Sequence, residues 1–310
     1  MKAHGALLAA GLAAALGWVV FGTQPEFPPE LFGTRTWAGD FLSYYLPNAE
    51  YLGARLSQGE LPLWDPRHGA GAPFLAAPQA GALYPPNLLH ALLPAHAAFT
   101  ALLALHLALA VVATGAFARR LGADAVGAVL AGLAYATSLR VLGELWSPPL
   151  FYTSAWMPVL FACVERALVR PGPRPVIGLA FSLALALLAG WPYGVAIGAL
   201  GAGAYGVLRL AGIARTTRRA PLAQAATLAT GVVLGAALAA PQLLPTLELL
   251  RESCRALGSL DETRAIFVDA PHQPLVFARA LLRHGYNDGI PGLVALALAP
   301  LAFLPGAGRA

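Results

Sequence analysis

Long apolar segments recur along this chain, and they limit its fold more than any other feature does. A helix needs about 20 apolar residues to cross a hydrocarbon core of about 30 Å. Strand-like alternation does not extend over any useful length, and lipid cannot satisfy open backbone groups. The pattern therefore predicts an all-α polytopic membrane helix bundle, a single transmembrane domain over residues 1–310. About eight transmembrane helices are expected, at 5–22, 96–117, 123–142, 149–168, 175–191, 193–213, 222–246 and 289–305.

The composition agrees with a membrane protein and argues against several soluble classes. Hydrophobic residues make up 58% of the 310 residues and charged residues 11%, whereas soluble domains average about 25% charged. The formal charge is +5, but the arginines lie in small clusters between the apolar segments and form no continuous stripe. We therefore expect no nucleic-acid partner. The two cysteines, Cys163 and Cys254, have no metal-binding or redox spacing.

The arginine clusters also orient the predicted bundle. With a cytoplasmic N-terminus, the cytoplasmic loops carry eleven basic and two acidic residues, and the outer side carries nine basic and thirteen acidic residues. Basic residues in short loops favour the cytoplasmic side. The apolar run 6–21 is long for a signal peptide and no A-x-A site follows it, so an uncleaved first helix is expected. The prediction is a multi-pass protein of the bacterial cytoplasmic (inner) membrane.

This orientation leaves two long segments on the extracytoplasmic side, residues 23–95 and 247–288. The first contains "LPLWDPRHGAGAPFLAAPQAGALYPPNLLHALLP" (61–94), whose seven prolines exclude a long helix. Apolar and aromatic residues have roughly helical spacing over 40–56, with an interruption at Pro47, and again over 84–94. We predict two amphipathic helices on the membrane surface, joined by an irregular loop.

Asp40 is the first candidate for a functional residue, because it stands at the head of the amphipathic stretch. It suits a helix N-cap, and it also suits a carboxylate at the lipid–water boundary that takes a proton from a hydroxyl. The two interpretations are compatible. Asp65 precedes Pro66 and fits either a turn or a site. Arg67 and His68 are interpreted either as a surface pair or as ligands of a phosphate.

Other candidates are spread over the predicted outer side and the second span. Trp64 and Tyr84 suit either stacking on a sugar or anchoring at the membrane interface. Arg251 and Arg255 belong either to a charge run or to a site for a phosphate headgroup. His106 lies within an apolar span, where an ionisable group is a functional candidate or an internally hydrogen-bonded histidine.

Three stretches of this sequence resemble the YfhO-like bacterial membrane proteins. They are "GDFLSYYLPNAEYLGARLSQGELPLWDPRHGAGAPFLAAPQAGALYPPNLL", "AWMPVLFACVERAL" and "PQLLPTLELLRESCR". The resemblance also includes "LH" in the second span, and it runs in order across nearly the whole chain. That family is considered similar to the GT-C glycosyltransferases, which are multi-span enzymes with amphipathic helices in a large first outer loop. Family members are usually longer, so the resemblance implies a short or truncated member.

The resemblance implies an activity as well as a fold. GT-C enzymes move a sugar from a polyprenyl-phosphate donor to an acceptor at the outer face, so Asp40 is expected to be the catalytic carboxylate. Basic residues would offset the charge of the leaving phosphate. The expected partners are membrane lipids, a polyprenyl-phosphate-linked sugar donor and an envelope glycan or lipid acceptor. No cofactor is expected, although a divalent metal stays open because the acid of such enzymes acts as a base or binds a metal. The alternative is a non-catalytic binder or transporter of the same lipid-linked substrate.

Overall fold

The computed structural model describes residues 40–138 and 147–252. These residues are helical apart from loops and one isolated bridge between Asp65 and Ala72. A π-helical turn, Phe41–Tyr45, leads into the first α-helix, and the short 3-10 turns Pro78–Ala80 and Pro85–Leu88 lie in the loop that follows. The α-helices are α1 (Leu46–Ser57), α2 (Leu89–Leu92), α3 (Ala95–Arg120), α4 (Ala125–Ala136), α5 (Pro148–Val169), α6 (Pro173–Leu188), α7 (Pro192–Thr217) and α8 (Leu222–Glu252).

Three of the described helices, α3, α7 and α8, are long and apolar enough to cross a membrane, as a membrane protein requires. The helices α4 and α6 are apolar but shorter. The predicted span 123–142 is only partly matched, because α4 ends at Ala136 and its twelve residues extend about 18 Å. The predicted spans 5–22 and 289–305 lie outside the described residues. Our expectation is therefore confirmed only in its coarser form: the described residues are helical, and three of their helices are candidates to span a membrane.

The helices pack closely where glycines let two backbones approach. Gly132 of α4 faces the carbonyl group of Val111 in α3, and Gly235 of α8 faces the carbonyl group of Ala180 in α6. A side chain at either glycine would meet the backbone of the neighbouring helix. By contrast, α7 is mostly exposed and has few contacts with α6. The bundle therefore has a tightly packed part, α3 to α6 with α8, and α7 is attached to it mainly through α5.

Residues 40–94 form a cap on one end of the bundle. The hydroxyl group of Tyr45 is 2.9 Å from Ser147 Oγ, just before α5. On α8, Gln242 Nε2 donates to the carbonyl oxygen of Leu75 at 2.6 Å, and Thr246 Oγ1 donates to that of Ala76 at 2.9 Å. The cap is thus attached to the two helix ends that the charge pattern assigns to the outer side.

The first amphipathic stretch differs from its prediction in two ways. Pro47 does not interrupt the helix. The turn before it widens to a π-helix, in which Leu46 N–H donates to Phe41 O, and this wider winding accommodates a residue that has no N–H to donate. The buried face of α1 also packs on protein, since Gly53 lies against the backbone of His90 in α2. The apolar side of α1 is therefore part of a small protein core, not simply a surface laid on lipid.

Candidate functional site

A small cavity with mixed polar and apolar lining lies between the cap and the helix bundle, and we call it the cap cavity. Its volume is about 30 Å³. Residues of the cap line one side, and the start of α5 lines the other. The polar side chains of its lining are Tyr45, Asn48, Gln79, Asn87, His90 and Tyr152. Polar groups at the junction of a loop and a rigid bundle are a common form of binding site.

Three of these residues have a buried polar atom without a hydrogen-bond partner among the described residues. They are Asn87 with Oδ1, His90 with Nδ1 and Tyr152 with its hydroxyl oxygen, and none of the three atoms has a hydrogen-bond partner in the described part of the chain. The residues are 8%, 8% and 2% exposed. Buried polar atoms are nearly always paired, so three residues with such atoms in the lining of one cavity distinguish this part of the protein from ordinary core.

Local structure explains how each of these side chains is held. Asn87 lies in the 3-10 turn Pro85–Leu88, and its Nδ2 donates to the carbonyl oxygen of Gly81 at 3.0 Å, which leaves Oδ1 without a partner. His90 packs its ring edge on Phe99 of α3, with ring centroids 4.9 Å apart. Burial lowers the pKa of His90 to about 4, so its imidazole is neutral at neutral pH.

Tyr152 is placed by a polar network in the core beneath the cavity. Its ring stacks on His106, with centroids 4.1 Å apart. His106 Nδ1 lies 2.6 Å from the carbonyl oxygen of Leu102 and therefore donates to it, which leaves Nε2 to accept from Tyr84 OH at 2.5 Å. Trp156 Nε1–H in turn donates to Tyr84 OH at 2.8 Å. His106 is therefore an internally hydrogen-bonded histidine, which was one of the two interpretations of this residue.

Asp40 lies just before the π-helical turn whose last residue, Tyr45, lines the cavity. Its side chain is exposed and makes no capping hydrogen bond, because its backbone is already helical and cannot place the carboxylate over the first turn. Burial raises the pKa of Tyr45, and the charge of Asp40 raises it further, so the carboxylate and this hydroxyl interact electrostatically. The N-cap interpretation of Asp40 is therefore wrong, while a role in chemistry stays a prediction.

Asp65 and Arg67 form a structural pair within the cap. Asp65 is 2% exposed and accepts from Arg67 Nε at 2.8 Å and from Arg67 Nη2 at 2.7 Å. Arg67 Nη1 also donates to the carbonyl oxygen of Pro47 at 2.8 Å, and the guanidinium lies 4.2 Å from the centre of the Tyr51 ring. The hydrogen bonds from Arg67 hold the pKa of Asp65 below its usual range. We call this group the cap clamp, and it leaves Arg67 poorly placed to bind a phosphate.

His68 extends the cap clamp toward solvent. Its Nδ1 lies 2.9 Å from Asp65 Oδ2 and donates to it, since an ionised carboxylate only accepts. About half of the His68 side chain is exposed. The Nε2 atom of the imidazole is left without a hydrogen bond to this carboxylate, and of the Arg67–His68 pair only the histidine is open to a ligand.

The remaining predicted site residues lie in different places. Trp64 is 53% exposed and lies over Gly71, so its ring stays open to a sugar or to the membrane interface. Tyr84 is 1% exposed, and because its ring is enclosed in the core, stacking on a sugar is not compatible with its position. Arg251 is exposed in the last turn of α8. Arg255 lies outside the described residues.

The sequence interpretation missed the residues that carry the unpaired atoms. Asn87 and His90 stand three apart in "YPPNLLH", and that spacing of polar residues in an apolar stretch was an available indication. Tyr152 had none, because an aromatic residue in an apolar span usually belongs to the core. No family model, curated protein or solved structure matches this chain.

Proposed function

We propose that this protein is a GT-C-type glycosyltransferase of the bacterial inner membrane, with a cytoplasmic N-terminus. It transfers a sugar from a polyprenyl-phosphate donor to a cell-envelope acceptor at the extracytoplasmic face. One observation carries the proposal: an ordered cap is attached to one end of a helix bundle, and the exposed Asp40 lies just before the turn whose last residue, Tyr45, lines the cavity between them. The resemblance to YfhO-like proteins at this cap supports the same activity.

The proposed chemistry assigns one role to Asp40. Its carboxylate takes the proton of an acceptor hydroxyl, whose oxygen attacks the anomeric carbon of the donor sugar. The bond between that carbon and the phosphate oxygen breaks, and polyprenyl phosphate leaves with the bonding electrons. An exposed carboxylate suits this role because the acceptor must arrive from outside the protein.

The leaving phosphate needs positive charge or hydrogen-bond donors near it. Arg67 is less suited than expected, because Asp65 already neutralises it. In the described part of the chain the exposed candidates are His68 and Arg251, and Arg255 is a candidate outside that part. The proposal needs no resident cofactor.

The first experiment compares the purified wild-type protein with Asp40→Asn. The substrates are polyprenyl-phosphate sugars with a hydroxylated acceptor, and the measurements are donor binding and release of free polyprenyl phosphate. General base catalysis contributes about 10²–10⁴-fold to rate. We therefore expect Asp40→Asn to bind the donor normally and to release polyprenyl phosphate at least ~100-fold more slowly.

Glu50→Gln is the matched control, because Glu50 is a second exposed carboxylate of the cap and lies in α1, which follows the turn after Asp40. It should retain wild-type turnover. Equal turnover in Asp40→Asn and the wild type would contradict the catalytic role.

A second candidate function has a specific observation in its favour. An apolar cavity of about 180 Å³ lies among α5, α6, α7 and α8, where α7 stands away from its neighbours. Leu160, Leu183 and Leu228 are among its lining residues. Such a cavity suits a prenyl chain without any chemistry, which favours a binder or transporter of a lipid-linked substrate. Donor binding without release, in both the wild type and Asp40→Asn, would favour this alternative.

A further inference from the structure

We propose that the cleft between α7 and α8 binds an acyl chain of an anionic phospholipid from the cytoplasmic leaflet. The phosphate of this lipid lies at the arginines of the turn that joins the two helices. The cleft contains the apolar cavity of about 180 Å³. The inference uses the proposed topology of the bundle, but it does not rest on glycosyl transfer, which belongs to the other side of the membrane.

The two helices that border the cleft are consecutive in the chain but hardly touch. Helix α7 packs mainly on α5 and helix α8 mainly on α6, and the backbones of α7 and α8 stay apart. Gly203 of α7 shows the gap directly, because a Cβ atom added there would meet no atom of a neighbouring element within 4 Å in the described part of the chain. Antiparallel helices joined by a short turn normally pack on each other, so their separation leaves room for another apolar molecule.

The lining of the cavity indicates a hydrocarbon chain. It comes from α5, α6, α7 and α8, and it consists of leucine, valine, alanine and glycine residues only. An apolar cavity of about 150 Å³ stays dry and takes up an apolar ligand. At about 10–15 Å³ for each water-sized group, a cavity of about 180 Å³ has room for about 12 or more such groups. A chain of methylene groups fits this space, and a single small molecule such as water does not fill it.

The depth of the cavity indicates which leaflet supplies the chain. On α8, Leu228 and Val232 stand six and ten residues after the start of the helix at Leu222, which is about 9–15 Å from its cytoplasmic end. On α6, Leu179 and Leu183 stand equally far from the start of that helix. Since the hydrocarbon of one leaflet is about 15 Å thick, the cavity lies at the depth of the acyl chains of the cytoplasmic leaflet.

Positive charge at the cytoplasmic end of the cleft indicates the headgroup. Residues 166–247 contain seven arginines and no aspartate or glutamate. Arg209 is paired with Glu165, whereas Arg218 and Arg219, in the turn between α7 and α8, are exposed and have no acidic partner in the described part of the chain. Basic clusters at the cytoplasmic ends of membrane helices are typical of sites for anionic lipid headgroups. A zwitterionic headgroup would gain less, because its net charge is zero.

A prenyl chain is the other apolar occupant that this cavity suits. In the proposed glycosyl transfer its phosphate lies at the extracytoplasmic face, on the side of the cap. The end of α8 on that side carries Glu248 and Glu252 beside Arg251. The charges along the cleft therefore favour a phosphate at its cytoplasmic end, and with it a phospholipid of that leaflet.

The test measures lipid binding to the full chain in detergent by native mass spectrometry. The probes are phosphatidylglycerol, phosphatidylcholine with the same acyl chains, and polyprenyl phosphate. Gly203→Phe fills the cavity from α7, because its side chain enters open space. Gly212→Phe is the matched control, since Gly212 is an exposed glycine of the same helix with equally open surroundings and does not line the cavity.

A second pair of variants tests the headgroup. Arg218→Gln combined with Arg219→Gln removes two charges from the turn beside the cleft. Arg119→Gln combined with Arg120→Gln removes two charges from the end of α3, a helix that does not line the cavity. Because the two double variants have the same net charge, a difference between them reports the position of the charges and not their number.

We expect the wild type to bind phosphatidylglycerol at least ~10-fold more tightly than phosphatidylcholine. Gly203→Phe should weaken the binding of phosphatidylglycerol at least ~10-fold, because the acyl chain loses its buried apolar contacts. Gly212→Phe should leave that binding unchanged. The double variant of Arg218 and Arg219 should remove most of the preference for phosphatidylglycerol, and the double variant of Arg119 and Arg120 should retain it.

Equal effects of the two phenylalanine variants would overturn the proposal, because the lipid would then bind outside the cleft. Equal binding of the two phospholipids to the wild type would also overturn it. If Gly203→Phe weakens only the binding of polyprenyl phosphate, the cavity holds a prenyl chain and the proposal fails. A wild type that binds no lipid would overturn it as well, and a dimer that dissociates in Gly203→Phe would then assign the cleft to a second copy of the chain.

A further variant keeps the test decisive if Gly203→Phe does not fold. Val232→Phe fills the same cavity from α8, and Val233→Phe is its control, because Val233 is exposed and does not line the cavity. The expected and the contradicting results are the same as for the pair of glycine variants.

Discussion

At the residue scale, two carboxylates of the cap differ in what surrounds them. Asp65 is buried and accepts several hydrogen bonds from Arg67 and His68, whereas Asp40 is exposed and makes no capping hydrogen bond. A buried, fully paired carboxylate holds structure together, because its lone pairs are already used. Chemistry on an incoming hydroxyl is therefore expected from Asp40, and stabilisation of the cap from Asp65.

Asp65→Asn should loosen the cap clamp. The substitution leaves the guanidinium of Arg67 without its carboxylate in a partly buried place, which costs about 2 kcal/mol. Hydrogen exchange of peptides from residues 61–74 should become faster. Glu60→Gln is the control, since its ion pair with Arg55 is half-exposed and contributes about 0–1 kcal/mol. Unchanged exchange in Asp65→Asn would contradict the role of the clamp.

The burial of His90 leads us to expect that the stability of the cap depends on pH. Its pKa falls from the ordinary 6.5 to about 4 on burial, so between these values the unfolded chain binds a proton that the folded chain does not. Stability is therefore complete above about pH 6.5 and declines as the pH falls toward 4, by about 3 kcal/mol in total.

The measurement is local hydrogen exchange of residues 85–93 between pH 7 and pH 4, corrected for the intrinsic exchange rate. His90→Asn keeps a polar group near the Nδ1 position and does not titrate in this range, so its local stability should change much less with pH. The same pH dependence in both proteins would assign the effect to another group.

At the element scale, α7 shows how one polar contact can hold a helix that has little packing. Glu165 of α5 is 2% exposed, and its carboxylate accepts from Arg209 Nη2 at 2.5 Å, Arg209 Nε at 3.0 Å and Tyr205 OH at 2.6 Å. Since α7 packs mainly on α5, this pairing adds to the apolar contacts by which α7 is attached.

Glu165→Gln should therefore weaken the attachment of α7. Breaking a buried pair costs about 3–5 kcal/mol, and about 2 kcal/mol is expected here because the Arg209 side chain is 43% exposed. A double-mutant cycle with Arg209→Gln, read from thermal unfolding in detergent, should give a coupling energy of at least ~1 kcal/mol. Arg215→Gln, an exposed residue in the last turn of the same helix, is the control. Additive effects of Glu165→Gln and Arg209→Gln would rule out the pairing as the attachment.

At the scale of the whole molecule, the cap and the arginine clusters lie at opposite ends of the bundle. The cap is attached to the start of α5 and the end of α8, and the pair of Glu165 and Arg209 lies near the other ends of α5 and α7. The arginines in the turns that follow α3, α5 and α7 belong to that same end. This separation is what an inserted protein with a cytoplasmic arginine side requires.

Cysteine labelling tests that orientation. In a chain with Cys163 and Cys254 replaced by alanine, single cysteines would be introduced at Ser57, in the cap, and at Thr216, near the end of α7; both positions are exposed. In intact cells, a membrane-impermeant thiol reagent should label Ser57→Cys and leave Thr216→Cys unlabelled until the cells are opened. The reverse pattern would invert the proposed topology.

Apolar periodicity and charge were sufficient to predict the existence of most helices, but not their lengths. The start of α3 agrees with prediction to within one residue, because Pro94 ends the loop before an apolar run. The end of α4 at Ala136 was missed, since the prediction carried the apolar segment on through Thr137 and Ser138 to residue 142. The prediction that Pro47 interrupts the helix was also wrong, because the spacing of residues in the sequence does not reveal that a π-helical turn accommodates this proline.

The sequence alone was enough to predict a helical protein with apolar spans and to assign its two ends, because both predictions follow from local solvation: apolar runs avoid water, and arginines avoid lipid. The roles of individual polar residues depended on tertiary packing. Burial turned Asp65 and Arg67 into a clamp and Tyr84 into core, and it brought Asn87, His90 and Tyr152 to one cavity. These residues lie up to 65 positions apart in the chain, and a hydrogen bond depends on distances of about 3 Å that no spacing in the sequence encodes.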